Sequence, residues 1–258
     1  MTKINRVAVA SIRVAFIAVV LLAALANAAA AAEIKVLCSN GLRAVVEELV
    51  PQFEQKTGNK VVLKFEPSTA IQKRIEAGEA FDVAVMTTAL VDQEIKAGRL
   101  APDSRTIIAR SGLGLSVRAG SKKPDIASVD AFKKALLSAK SITYATQGAS
   151  AAPFEALVTK LGIANEVKPK YRLRDTASQV GEVVADGTVE IGVAPVSEIL
   201  PVKGVELVGA FPADIQSYVV MTAALNVKGQ ERGAAKGFVD FLMAPANLPV
   251  IKAKGMER

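Results

Sequence analysis

Three short stretches carry the hydroxyl and amide groups that could hold a small molecule: Ser39-Asn40-Gly41, Ser68-Thr69 and Thr87-Thr88. Each closes an apolar run of strand character and opens a run with helical spacing. The first is the clearest: Ile34–Cys38 leads into the turn, and Leu42, Val45, Val46, Leu49, Val50 and Phe53 follow at i, i+3, i+4 intervals. A helix N-terminus carries unpaired N–H groups and about half a positive charge, so hydroxyls placed there suit an anion. Taken singly, Ser or Thr at such a position is a helix cap. Three in succession form a constellation, because the carboxyl ends of parallel strands frame the binding crevice of an open sheet. Two later turns extend the pattern: Thr146–Pro153, with Ser150-Ala151 before a helix, and Pro195-Val196-Ser197-Glu198 after the strand Glu190–Ala194.

The composition removes most catalytic chemistries. The chain has no histidine, which excludes Ser-His-Asp and Cys-His arrangements and the usual zinc sites. No Ser-x-x-Lys stands at a helix start. Glu47-Glu48 are adjacent on one helix and read as solvated. Neither a phosphate loop nor a three-glycine dinucleotide fingerprint occurs. The inferred site therefore consists of neutral donors with nothing to move a proton. It suits binding and release rather than turnover, with no metal and no cofactor. Cys38 is the single cysteine, so the chain has no internal disulfide. It closes an apolar strand as a buried small hydrophobe or as a thiol lining the cleft.

The elements that position these turns begin after residue 32. Lys3, Arg6 and Arg13 precede the 12-residue apolar run Val14–Leu25 and the small residues Ala26 to Ala32, the pattern of a cleavable secretory signal. No later stretch approaches 20 continuous apolar residues, so a soluble exported protein is expected. Beyond the signal, 29 basic residues face 25 acidic ones, a net charge of +4. That mild excess fits an anionic ligand, and no basic run is interleaved with aromatics as nucleic-acid binding would require.

Strand and helix patterns alternate from there on. Strands are expected at Lys60–Phe65, Phe81–Met86, Arg105–Arg110, Leu113–Arg118, Ser141–Ala145, Lys170–Leu173, Glu190–Ala194, Val205–Val208 and Tyr218–Leu225. Helices are expected at Ala70–Ala77, Leu90–Ala97, Ala131–Ser138, Phe154–Leu161, from Thr176 or Ser178 to Val184, and at Gly233–Met243, with a last turn at Leu248–Ala253. Gly58, Gly78 and Gly98 fall where helices stop. The pattern gives an α/β protein with two lobes, each a mostly parallel sheet flanked by helices. Residues 33–114 and 218–258 form one lobe and 115–217 the other, and strands near Leu113–Arg118 and Tyr218–Leu225 join them as hinges.

With the elements in this order, the chain resembles periplasmic substrate-binding proteins of ABC importers, of the molybdate-binding type, with a type II periplasmic binding fold. The likeness covers the whole mature chain. It is carried by Val36–Leu42, by Phe53-Glu54-Gln55-Lys56-Thr57-Gly58 before a strand, by Phe65–Ile75, by Asp82-Val83 after Ala77-Gly78, and by Phe238–Met243 with Gly255-Met256. The resemblance implies a monomeric periplasmic receptor that holds a small anion between its lobes and docks on an inner-membrane permease and ATPase. It places ligand contacts at Ser39, Asn40, Gly41 and Ser68 and near Ser150-Ala151, and the reading of the strand-end turns adds Thr69, Thr87 and Ser197. The chain departs from the molybdate pattern in two places. Gly41 stands where the family has a serine, and Pro195 and Ser197 stand where a tyrosine is expected. Gly114–Asp125, Ala135–Tyr144 and Ser197–Pro212 match a divergent branch linked to small organic polycarboxylates such as aconitate and tricarballylate. For such a ligand the resemblance suggests Arg172, Arg174 or Lys64 as a cationic clamp.

Overall fold

The computed structural model describes residues 31–258, so the expected signal segment lies almost wholly outside the described residues. Eight strands are present there: β1 Glu33–Ser39, β2 Lys60–Glu66, β3 Val83–Thr87, β4 Thr106–Arg118, β5 Ile142–Tyr144, β6 Ile191–Pro195, β7 Val205–Ala210 and β8 Tyr218–Leu225. The helices are α1 Arg43–Thr57, α2 Ser68–Glu76, α3 Thr88–Lys96, α4 Val129–Ser138, α5 Ala151–Lys160, α6 Ala164–Val167, α7 Ala177–Ala185, α8 Val196–Ile199, α9 Arg232–Met243 and α10 Leu248–Ala253. None of the described helices is long and apolar enough to cross a membrane.

The sheet runs β2-β1-β3-β8-β4-β6-β5, with β7 on the other side of β4. β1, β2 and β3 are parallel, as the apolar runs of β1 and β3 imply. β3 is buried over Val83–Met86, whereas β2, at the sheet edge, alternates exposed and half-buried positions. The expectation of mostly parallel sheets fails for the linking strands. β8 is antiparallel to both β3 and β4, and β4 is antiparallel to β6 and β7. In the second sheet only β5 and β6 are parallel. A strand that carries the chain from one sheet to the other must run against those that end at the crevice.

β4 is one continuous strand, not the two that Ser111-Gly112 suggested. Its first half, to Gly112, pairs with β8, and its second half, from Leu113, pairs with β6 and β7. Gly112 is the joint, and a Cβ there would press within 2.9 Å of the Gln216 side chain. The Gln216 amide fills that space and bonds the Leu113 N–H at 2.8 Å and its carbonyl at 3.1 Å. Lys170–Leu173, expected as a strand, is a 3-10 turn followed by isolated bridges from Tyr171 to Ile142 and from Arg174 to Ala145.

Each helix packs its apolar stripe on a sheet. α1 buries Val45, Val46, Leu49, Val50 and Phe53. Phe53 is 2% exposed and meets the Phe238 ring of α9 edge-on at 5.2 Å. α1 ends at Gly58, whose φ of 76° puts its N–H on the Glu54 carbonyl, as the sequence anticipates. α4 starts two residues before the expected Ala131, and α7 follows Thr176 as one of the two expected starts. Ser128 accepts the Ala131 N–H, and Thr176 forms a capping box with Gln179.

Candidate functional site

The ends of β1 and β3 and the turn after β2 bring Ser39, Asn40, Ser68, Thr69 and Thr87 to one cavity of about 80 Å³. Across it stand Gln147, Gly148 and Ala149, from the turn between β5 and α5, and Asp175, Thr176 and Ala177, at the start of α7. Glu198 of α8 completes the wall. Of three larger surface hollows, the one of about 490 Å³ adjoins the cavity at Thr87 and Ala149, and those of about 1130 and 740 Å³ lie away from these turns. Those hollows gather charged loop residues such as Lys122, Lys123 and Glu231 rather than converging helix starts, so the small cavity is the candidate site.

The hydroxyls here are not spent on capping their own helices. Ser39, Thr87 and Ser150 occupy cap positions, and none makes a side-chain capping bond. α2 is preceded by Pro67, which has no side chain able to cap it, so Ser68 becomes its first residue. The hydroxyls are instead linked to one another. The Thr87 N–H donates to Ser68 Oγ at 3.2 Å, and Ser68 Oγ–H donates to Ser39 Oγ at 3.0 Å. Ser39 ends the chain, with its proton the donor available to a guest. A helix start leaves its first N–H groups without intrahelical partners; in α2 Ala70 turns its N–H to the Pro67 carbonyl at 2.9 Å, which leaves those of Ser68 and Thr69 for a guest. Ser39 and Ser68 are buried, so these dipoles act where water screens them little.

Other expected contacts fall outside the cavity lining. Gly41 is buried, and its carbonyl accepts the Ser197 hydroxyl at 3.0 Å. Ser197 is itself buried, and its N–H donates to Ser111 Oγ at 3.1 Å. Ser111 Oγ in turn donates to the Gly255 carbonyl at 3.0 Å. Ser197 therefore fastens α8 to the start of α1, to β4 and to the C-terminal tail. Ser150 is buried and Ala151 half-buried against the core; their neighbours Gln147 to Ala149 reach the cavity instead. Arg172 and Arg174 bond backbone carbonyls of their own segment, and Lys64 pairs with Glu79 at 2.8 Å. Among the described residues no Lys or Arg lines the cavity. Cys38 is fully buried, which pushes its thiol far up in pKa, so the core accounts for it.

Glu198 corrects the expectation that nothing in the site can move a proton. It is half-buried on α8 and makes no ion pair among the described residues. Burial alone pushes its carboxyl up to about 7. A Cβ on Gly41 would lie 3.5 Å from Glu198 Oε1 and 2.6 Å from Met221 Cε, so a glycine leaves room for both. The signal was present in the sequence: Pro195–Glu198 is a fifth strand-end turn, and its acid lies one residue past the hydroxyl that drew attention. Among the described residues no group of three or more His, Cys, Asp or Glu could hold a metal ion.

Residues 34–257 match the family model described as bacterial extracellular solute-binding protein. An aconitate isomerase from Pseudomonas sp is 30% identical over 227 residues, covering 86% of both chains. The molybdate-binding protein ModA of Azotobacter vinelandii is 30% identical over 239 residues, covering 90% of this chain and 92% of its own. The solved periplasmic molybdate-binding protein of Azotobacter vinelandii superposes with a TM-score of 0.74 at 21% identity, over 87% of this chain and 99% of that one.

Proposed function

Because the chain belongs to the bacterial extracellular solute-binding proteins, we propose that it is a periplasmic receptor of an ABC importer. It captures a small anion in the cavity where the strand-end turns meet, and the occupied form docks on an inner-membrane permease. Residues 33–114 with 218–258 form one lobe, 115–217 form the other, and closure turns about β4 near Gly112 and about the start of β8. The observation that carries this reading is the meeting of Ser39, Asn40, Ser68, Thr69 and Thr87 with the turns at Gln147 and Thr176 in one cavity.

The lining favours a small organic polycarboxylate over a metal oxyanion. Asp175 and Glu198 both line the cavity, and the length of a polycarboxylate lets its charges lie at the starts of α2 and α3 with a single group against Glu198, which a compact tetrahedral ion does not allow. A polycarboxylate can share a proton with Glu198. It takes its charge compensation from the starts of α2 and α3 rather than from Arg172 or Arg174. The names of the relatives supply the two test ligands, aconitate and molybdate. A ligand at 100 times its dissociation constant adds about 2.7 kcal/mol, which raises the unfolding midpoint of a chain this size by several degrees. The mature protein, heated with aconitate, tricarballylate, citrate, sulfate, phosphate and molybdate in turn, is expected to shift with the tricarboxylates. A shift with molybdate alone overturns the ligand class, and no shift with any of them overturns the anion reading.

A second reading, an isomerase on the same fold, is favoured by the ionisable carboxyl in the cavity and by the relative named for aconitate isomerisation. Consumption of the ligand separates the two.

A further inference from the structure

We propose that Glu198 is a proton-transferring group and that the cleft catalyses a 1,3-proton shift on the unsaturated polycarboxylate it holds. The inference rests on the tricarboxylate ligand class and goes beyond capture and release.

The geometry carries it in three parts. First, Glu198 faces the cavity in company with Ser39, Asn40, Ser68 and Thr87, so a guest held by those hydroxyls lies against its carboxyl. Second, no cation competes for it. The other ionisable group lining the cavity is Asp175, which is exposed. On the elements packed against α8, Arg110 pairs with Glu257 and Glu206 with Lys123, and Arg118 lies against Gly187. Third, the carboxyl is positioned rather than loose. Its neighbour Ser197 is bonded through its hydroxyl to Gly41 and through its N–H to Ser111. A Cβ on Gly255 would lie 2.6 Å from Val196 Cγ1, so the C-terminal tail closes α8 from behind. Burial sets Glu198 to exchange protons near neutral pH, which suits a general acid–base.

The step balances without a co-reactant. The ionised carboxylate of Glu198 takes a proton from a CH₂ flanked by a carboxylate and a C=C bond. The C–H electron pair spreads over the allylic system into the conjugated carboxylate. Charge that develops there faces the Ser39 hydroxyl and the N-termini of α2 and α3. The same Glu198 O–H returns the proton to the far carbon of the allyl unit, so the double bond moves by one position and nothing is gained or lost. No histidine, metal or cofactor is needed.

The test follows cis- and trans-aconitate by proton NMR in D₂O with the mature protein and with Glu198→Gln. Wild type is expected to wash deuterium into the CH₂ position and to interconvert the two isomers, with a rate that climbs as pH rises through 7. Glu198→Gln is expected to lose at least 100-fold in that rate while keeping the ligand-induced rise in unfolding midpoint, which also shows that it folds. Glu198→Asp is expected to restore part of the rate. Exchange by Glu198→Gln at the wild-type rate overturns the role of Glu198. Stabilisation of wild type without exchange overturns the activity and leaves a receptor. Neither stabilisation nor exchange overturns the ligand class on which both stand.

Discussion

Replacing Asp82 by alanine is expected to lower the stability of the protein by about 3 kcal/mol, since a hydrogen bond to a charged group contributes about 1.5–3 kcal/mol, this change removes three part-buried ones, and water replaces part of the loss. Asp82 is 6% exposed, just before β3. Its Oδ2 accepts the Lys35 N–H of β1 at 2.8 Å, and its Oδ1 accepts the N–H groups of Gln230 and Glu231 at 3.1 and 3.2 Å. The carboxylate ties the first sheet to the segment that starts α9, roughly 150 residues later in the chain. Alanine fills none of these acceptor positions, and water from the adjoining surface hollow replaces them in part. The unfolding midpoint should drop by about 10 °C, at roughly 2–4 °C per kcal/mol for this size. Asp82→Asn keeps one oxygen acceptor and should lose about half as much. A midpoint for Asp82→Ala within 2 °C of wild type would show that these three N–H groups find other partners.

The second large effect concerns pH. The Glu198 carboxyl ionises at about 7 when folded, against an ordinary 4.5. Its folded form therefore keeps a proton that the unfolded chain has already released. Between 4.5 and 7 the unfolded state gains by ionising and the folded state does not, so stability falls as pH rises across that window and is level above it. At about 1.36 kcal/mol per pH unit the loss at pH 8 is at most about 3 kcal/mol, and somewhat less because the side chain is only half-buried. Glu198→Gln removes the titration, so the ligand-free variant should be about 2–3 kcal/mol more stable than wild type at pH 8 and equal to it at pH 4. Arg74 and Arg99 hold Glu66 and Glu94 below their usual range through hydrogen bonds, which in Glu94 outweigh its burial. Their contribution is lost as pH falls below the carboxylate range in both proteins, so it cancels in the difference. Denaturation curves whose spacing is constant from pH 4 to pH 8 would contradict the account.

How much was legible in the sequence follows from what each level of structure depends on. The strands at 34–39, 60–66 and 83–87 and their following helices are set by local periodicity and turn chemistry. The hydroxyls of Ser39, Ser68 and Thr87 could be found because they repeat one local pattern at consecutive strand ends. Ser150 and Ser197 share that pattern but face inward. Ser197 turns to the Gly41 carbonyl, 156 residues away in sequence, and no local signal reports such a contact. Glu198 was overlooked for the same reason. A four-residue helix has no apolar stripe to show which side it presents, and its orientation comes from Ser111, Gly41 and Gly255. Arg172 and Arg174 attracted attention as free cations, yet their guanidinium groups fold back on adjacent carbonyls. The continuity of β4 was hidden by Ser111-Gly112, which reads as punctuation until Gln216 is seen to occupy the glycine's missing side chain.

The position of β8 has a consequence for how such a chain is made. β8 is wedged between β3 and β4, pairing Val83 with Leu225 and Gly112 with Tyr218. Until residues 218–225 arrive, β1, β2 and β3 have no ladder to β4, whereas the contacts of β4 with β6 and β7 close within residues 113–210. Loop closure over some 140 residues is slow compared with the shorter closures. β1, β2 and β3 pair with one another over shorter separations still, so what waits is the join of the two sheets through β8, which forms last, after nearly the whole polypeptide is available. Pulsed hydrogen exchange during refolding should find the β1–β3 and β4–β6 ladders protected before β8, and protection of β8 ahead of both would disprove the sequence of events. Each sheet can thus be complete in itself while the two remain unjoined for as long as the final forty residues have yet to be made.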